Sequence, residues 1–166
     1  MNIKFQGYNR SVQFHGKMMQ VQVIKHNPKF CLSIPDLKYL IYVYSAPSHS
    51  KQRDVLRASW ANNSFWKDQR SRTIFVFGTP TSDHDQNTID SEFEKYGDIV
   101  QGDFVESYDN LTMKGMLAIQ WISQYCYNAQ FVMKADDDVV PNMFLIYSVL
   151  EAQVKSYPNH AKVLCV

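Results

Sequence analysis

Three short runs of β-branched and aromatic residues constrain this chain more than anything else in it: Tyr39-Leu-Ile-Tyr-Val-Tyr, Thr73-Ile-Phe-Val-Phe and Phe131-Val-Met. Each has the length and composition of a buried strand, and each breaks off at a loop or polar cluster followed by a helical pattern. Strands alternating with helices predict an α/β fold: a mostly parallel sheet with helices on both faces. Asp98-Ile-Val predicts a brief further strand, Ala161 to Val166 a fifth, and Val21-Gln-Val-Ile an edge strand.

Four helical segments fit between them. Ser50 is placed to cap a helix running to about Ala61, with Leu56 and Trp60 one turn apart on one side. Thr79 to Asn87 reads as a polar loop and Thr88 to Lys95 as a short helix ended by Gly97. Asp109 or Asn110 is placed to cap a longer helix reaching about Cys126. Its Met113, Met116, Leu117 and Trp121 follow the spacing of a buried face. The last helix runs from Pro141 to about Lys155, proline suiting a first turn. Residues 1 to 36 have weak periodicity and read as a stem; residues 37–166 form the domain.

In a parallel sheet, ligands bind beyond the carboxyl ends of the strands. The Ser45-Ala-Pro-Ser-His loop, the Gly78-Thr-Pro loop and the triplet Asp136-Asp137-Asp138 each follow a strand and so are expected on that edge. Three adjacent carboxylates repel one another by about 1 kcal/mol per pair even in water. A cation relieves that repulsion, and an oxygen-only donor set suits Mg²⁺ or Mn²⁺, which take one or two carboxylates and fill the rest with phosphate oxygens and water. The triplet therefore reads either as a metal–diphosphate site or as a solvated acidic turn with Asp138 or Asn142 near a helix cap. If the strand ends at Met133 or Lys134 and stays extended, Asp136 and Asp138 share one side and Asp137 opposes them.

Arg53 and Arg57 lie four residues apart on one helical face, where like charges need a partner: a diphosphate, or protein carboxylates such as Asp54. Lys114, near the start of the third helix, is within reach of an acid or a phosphate. The net charge of +1 gives no case for a nucleic-acid partner. No glycine-rich dinucleotide loop, Walker loop or nucleophile elbow occurs. The histidines have no metal-pair spacing. Cys31, Cys126 and Cys165 allow one bridge plus a free thiol, or three thiols. Asn9, Asn62 and Asn110 each open an N-glycosylation tripeptide.

Several of these segments, in order and at matching spacing, resemble the β-1,3-galactosyltransferase family, which includes β-1,3-N-acetylglucosaminyltransferases and is related to the fringe enzymes. They are Arg53-Asp-Val-Leu-Arg57-Ala-Ser-Trp60, Phe75-Val-Phe-Gly78, Glu94-Lys-Tyr-Gly-Asp98-Ile-Val-Gln-Gly-Asp103-Phe, Ser107-Tyr-Asp-Asn110-Leu-Thr-Met-Lys114, Trp121, Cys126 and Lys134-Ala-Asp136-Asp-Asp138-Val, within residues 38–166. Glu106 stands where the family usually has Asp. The resemblance implies a GT-A, Rossmann-like fold, Mn²⁺ (or Mg²⁺), and a UDP-sugar donor, UDP-galactose or UDP-N-acetylglucosamine. It implies inverting transfer to a glycan hydroxyl on a glycoprotein or glycolipid. It also implies a luminal domain at the Golgi membrane, held by a type II anchor absent from this chain.

By position, Asp138 corresponds to the direct metal ligand, and Asp136 and Asp137 to partners of the ribose and metal shell. Ser45 and Ala46, with Arg53 and Arg57, correspond to residues bordering the nucleotide. The family's acceptor-binding half, catalytic base and a further metal-ligand histidine are expected beyond Val166. The alternative is a non-catalytic chain that at most binds UDP-sugar and metal.

Overall fold

The computed structural model describes the backbone of residues 21–156 and three short strands outside that range, and the side chains of residues 21–152. Strands β1 (Val12–Phe14) and β2 (Lys17–Met19) pair antiparallel. The main sheet contains β3 (Val23–Lys25), β4 (Tyr39–Tyr44), β5 (Ser71–Thr79), β6 (Ile99–Val105), β7 (Phe131–Asp136) and β8 (Lys162–Cys165), in the order β3-β6-β5-β4-β7-β8. Only β3 runs antiparallel to its neighbour; the other pairings are parallel. The fold is α/β and Rossmann-like, as the alternation predicts.

Strand order reverses around β4. The chain steps from β4 to β5 to β6 on one side, then returns to place β7 on the other flank of β4, with Tyr44 opposite Asp136. The topological switch point thus lies between the carboxyl ends of β4 and β7, where α/β sheets open a crevice for ligands.

Period-two alternation divides the strands' side chains between two cores. Tyr39, Ile41 and Val43 face helices α1 (Ser50–Arg57), α2 (Asp83–Tyr96) and α4 (Met143–Ser156), packing with Leu56, Trp60, Ile89, Met143 and Tyr147. Leu40 and Tyr42 face α3 (Leu111–Tyr125), packing with Met116, Leu117 and Trp121. The helical face expected from spacing is the buried one, with Met113 partly buried at its rim.

The boundaries differ in instructive ways. α1 stops at Arg57 and is capped at His49, with Ser50 its first residue. α2 starts five residues before Thr88, because Ser82 accepts from the Asp85 amide and two acids occupy the first turn. Gly97 ends α2 in the left-handed conformation, φ 64°, which glycine adopts without steric cost. β5 runs through Gly78 to Thr79, so Gly78 belongs to the strand. A 3₁₀ turn (Tyr108–Asn110) leads into α3. Asn142 caps α4 by accepting from the Leu145 amide, so Pro141 stands outside the helix.

Residues 21–36 belong to the domain and not to the expected stem. Val21 is buried, β3 completes the sheet edge, and Cys31 is bridged to Cys126 beneath α3, closing 95 residues of chain. Most of residues 1–20 lies outside the described residues.

Candidate functional site

The edge at the switch point is built from two segments, the loop after β4 and the turn after β7. β7 remains extended through Asp136, and the chain then turns at Asp137 and Asp138, where the Asp137 amide donates to the Tyr44 carbonyl at 3.1 Å. The turn breaks the simple alternation expected of the triplet, and the three acids receive three environments.

Asp136 shares a strand face with Lys134, two residues back, whose Nζ donates to both its carboxylate oxygens, at 2.5 and 2.7 Å. Asp137 turns toward the β4 loop; one of its oxygens accepts from Ser45 Oγ at 2.7 Å and lies 2.8 Å from His49 Nδ1. Asp138 is exposed, and no described residue pairs with its carboxylate.

The loop itself is held from behind. Arg53 has no exposed surface; its guanidinium donates to Ser45 Oγ (3.1 Å), to the carbonyls of Ala46 and Pro47, and to both Glu92 oxygens (2.9 and 2.7 Å). Arg57 forks onto Asp98 at 2.8 and 2.9 Å and reaches Glu92 at 2.6 Å. Glu92 comes from α2 and Asp98 from the residue just before β6, so the two arginines tie α1 to α2 and to the entry of β6 behind the loop. Burial pushes the Glu92 carboxyl up, but the hydrogen bonds and charges of Arg53 and Arg57 outweigh it and hold it below the usual range. Asp98 is buried more deeply; there desolvation outweighs Arg57 and the carboxyl sits above its ordinary value.

From the other face, Lys114 of α3 donates to the Ser45 carbonyl at 2.8 Å and pairs with Glu106 at 2.5 Å; Glu106 in turn accepts from the Gly78 amide at 2.7 Å. Lys114 is buried, so its cation is committed to the loop and to Glu106.

Of the residues expected at the site, the structure brings Ser45, Ala46, Asp136, Asp137 and Asp138 to one edge. It places Arg53 and Arg57 behind that edge, where a bound nucleotide would not touch Arg53. The like-charge conflict at their spacing is relieved by Glu92 and Asp98, partners that lie far away in sequence. Sequence reasoning missed those two, as well as His49 and Lys134. Lys134 had a local signal, since residues two apart on a strand share a face.

Among the described residues no three His, Cys, Asp or Glu side chains converge to hold a metal ion. The donor set fits a hard divalent cation of the kind that relies on a bound diphosphate: one open carboxylate at Asp138, and a second at Asp136 whose present partner is a part-exposed lysine. Such a set does not form a cage for a cation by itself.

A parallel sheet whose switch point joins a pinned loop to an open acidic turn is a Rossmann-like fold with a ligand crevice at that edge. The comparisons carry this further: residues 51–165 match the galactosyltransferase family, and the chain belongs to it. Beta-1,3-galactosyltransferase 5 of Homo sapiens is 33% identical over 120 residues, covering 72% of this chain and 38% of the relative. Lactosylceramide 1,3-N-acetyl-beta-D-glucosaminyltransferase of Homo sapiens is 33% identical over 138 residues, covering 78% and 36%. UDP-GalNAc:beta-1,3-N-acetylgalactosaminyltransferase 1 of Homo sapiens is 36% identical over 106 residues, covering 62% and 32%. The alignments span roughly a third to two fifths of these relatives' lengths.

Proposed function

We propose that this chain supplies the donor-binding part of a β-1,3-glycosyltransferase. The enzyme moves galactose or N-acetylglucosamine from a UDP-sugar, with inversion, to a hydroxyl of a glycan on a glycoprotein or glycolipid. The observation that carries the reading is the open Asp138 carboxylate beside Asp136 and Asp137 at the switch point, facing a loop that other residues hold rigid. The family membership and the transferases it is similar to support the reaction class.

In this reading Ala46 and the backbone of the Ser45–His49 loop border the nucleotide. Asp137 fixes that loop through Ser45 and His49. Asp138 and Asp136 would hold Mn²⁺ or Mg²⁺, which when bound neutralises the diphosphate and the charge that grows on it as it leaves. Lys134 neutralises Asp136, and a metal ion held by that carboxylate would have to compete with it. Arg53, Arg57 and Lys114 act as positioning residues. A base that deprotonates the acceptor hydroxyl is a further requirement of the chemistry. The Golgi lumen, with a type II anchor, is the proposed location; the Cys31–Cys126 bridge supports an oxidising compartment. Among the described residues no helix is long and apolar enough to cross a membrane.

The test is a calorimetric titration of UDP with and without Mn²⁺ on wild type and Asp138→Asn, each first shown folded by circular dichroism. Wild type should bind UDP only with the metal. The variant should fold as well or better, since repulsion falls, and should lose at least about tenfold in Mn²⁺-dependent affinity, about 1.4 kcal/mol. Metal-independent binding by wild type, or a full Mn²⁺ effect in the variant, would leave the triplet an acidic turn.

A further inference from the structure

On the face opposite α3, a groove of about 370 Å³ separates the segment after α1 from the start of α4. Its lining holds no charged residue and is dominated by Trp60, Phe65, Trp66, Pro141 and Phe144. Phe65 and Phe144 are 65% and 71% exposed, and each stacks edge-on against Trp66, with ring centroids 4.7 and 5.0 Å apart. Trp60 and Trp66 are buried and form the floor of the groove, and Phe65 and Phe144 stand exposed on its two sides.

Asn62 also lines this groove, and it opens the tripeptide Asn62-Asn63-Ser64. Its Oδ1 accepts from the amides of Ser64 and Phe65, at 3.0 and 2.9 Å, which sets a tight turn and leaves Nδ2 without a bond to any described residue. Asn63 points inward instead, bonding Thr73 on β5 through both its side-chain oxygen and nitrogen. Asn110 differs: its Nδ2 already donates one of its two N–H groups to the Val105 carbonyl at 2.8 Å, so only the other is free of a protein partner.

We infer that Asn62 is an N-glycosylation site and that the first sugar of its glycan covers the aromatic groove. In the transfer, Asn62 Nδ2 bonds to the anomeric carbon of an oligosaccharide carried on a polyprenyl diphosphate. The bond from that carbon to the diphosphate breaks, and one amide proton leaves with the diphosphate. The apolar C–H face of the attached pyranose suits the ring faces of Phe65 and Phe144, and an uncharged lining suits a neutral sugar better than an ionic partner. The inference rests on the secretory reading above for its occurrence in the natural cell.

The experiment supplies its own signal peptide and so separates the two. The full 166-residue chain is secreted from a eukaryotic cell line that leaves glycans high-mannose, and occupancy of Asn9, Asn62 and Asn110 is read by mass spectrometry. Three folded forms are then compared for binding of an apolar fluorescent dye: intact, trimmed by an endoglycosidase to a single N-acetylglucosamine, and stripped by N-glycanase. Asn62 should be occupied. The intact and trimmed forms should bind dye weakly and the stripped form severalfold more. Ser64→Ala, which removes the acceptor tripeptide but keeps the Asn62 turn, should behave like the stripped form, and adding Phe65→Ser should reverse the gain. An unmodified Asn62 on secreted chain overturns the inference, and a glycan on Asn110 or Asn9 in the same sample leaves the secretory reading intact. Equal dye binding by trimmed and stripped forms, or dimerisation through this face whatever its glycan, also overturns it. Finding the natural protein outside the secretory pathway would instead remove the secretory reading.

Discussion

Two groups of charged side chains flank the Ser45 loop, and they are built on opposite terms. Behind it, Arg53, Arg57, Glu92 and Asp98 are buried and satisfy one another with forked, charge-assisted bonds. In front of it, the acidic turn has one acid paired to a lysine, one spent on the loop, and one open. A closed network of this kind fixes geometry and has nothing left to offer a ligand. The open turn has a surplus of negative charge that only an added cation balances. The contrast is one of charge balance: the residues that look most suited to phosphate in the sequence, the arginines, are the ones already used up.

The sharpest way to break this comparison is Arg57→Met. It strands Asp98, which is 2% exposed, without its fork. A buried carboxylate left unpaired should cost about 3–5 kcal/mol in chemical denaturation. A loss under about 1 kcal/mol, the value of a surface pair, would show that the network is not closed. Asp138→Asn is the mirror case, with stability unchanged or raised and metal-dependent UDP binding lost.

Lys134→Met sharpens the front half. The Lys134–Asp136 pair is part-exposed, so stability should change by no more than about 1 kcal/mol. Mn²⁺ affinity in the presence of UDP should rise, because the competing cation is gone; calorimetry reads both. Weaker Mn²⁺ binding would instead give Lys134 a direct part in holding the diphosphate.

The smallest effect is on pH. The folded Glu92 carboxyl titrates below its ordinary value of 4.5, so its contribution is fully present above that pH and is lost as pH falls through the depressed value. Asp98 runs the other way: its raised carboxyl contributes most at low pH and less as pH rises. The two slopes oppose, so the isolated Glu92 share is best read as a difference. The gap in melting temperature between wild type and Glu92→Gln should shrink steadily from about pH 6 to about pH 3. A gap that stays constant would mean that Glu92 is not charged in the folded network.

Much of the edge was legible beforehand. Tyr39–Tyr44 and Phe131–Met133 carry their strand identity in composition, and a strand followed by acids points to the carboxyl edge whatever the neighbours. Helix starts were less legible: α2 begins at Asp83 because of a Ser82 cap inside what reads as a polar loop, and polar caps look like loop sequence. The roles of Arg53 and Arg57 were not legible, since their partners lie 35 to 41 residues away and meet them only when α2 and β6 pack on α1.

By itself, the sequence determined the alternation of strand and helix, the two-faced division of each strand's side chains, and the placing of three acids at a strand's end. Those are matters of local periodicity, which a chain carries residue by residue. Only the tertiary structure decided which charges are free. Pairing depends on which elements the sheet order makes adjacent: β7 beside β4 brings Asp137 to Ser45, while α2 beside α1 brings Glu92 to Arg53. A charged group's availability is set by the sum of its neighbours, and most of those neighbours are distant in the chain.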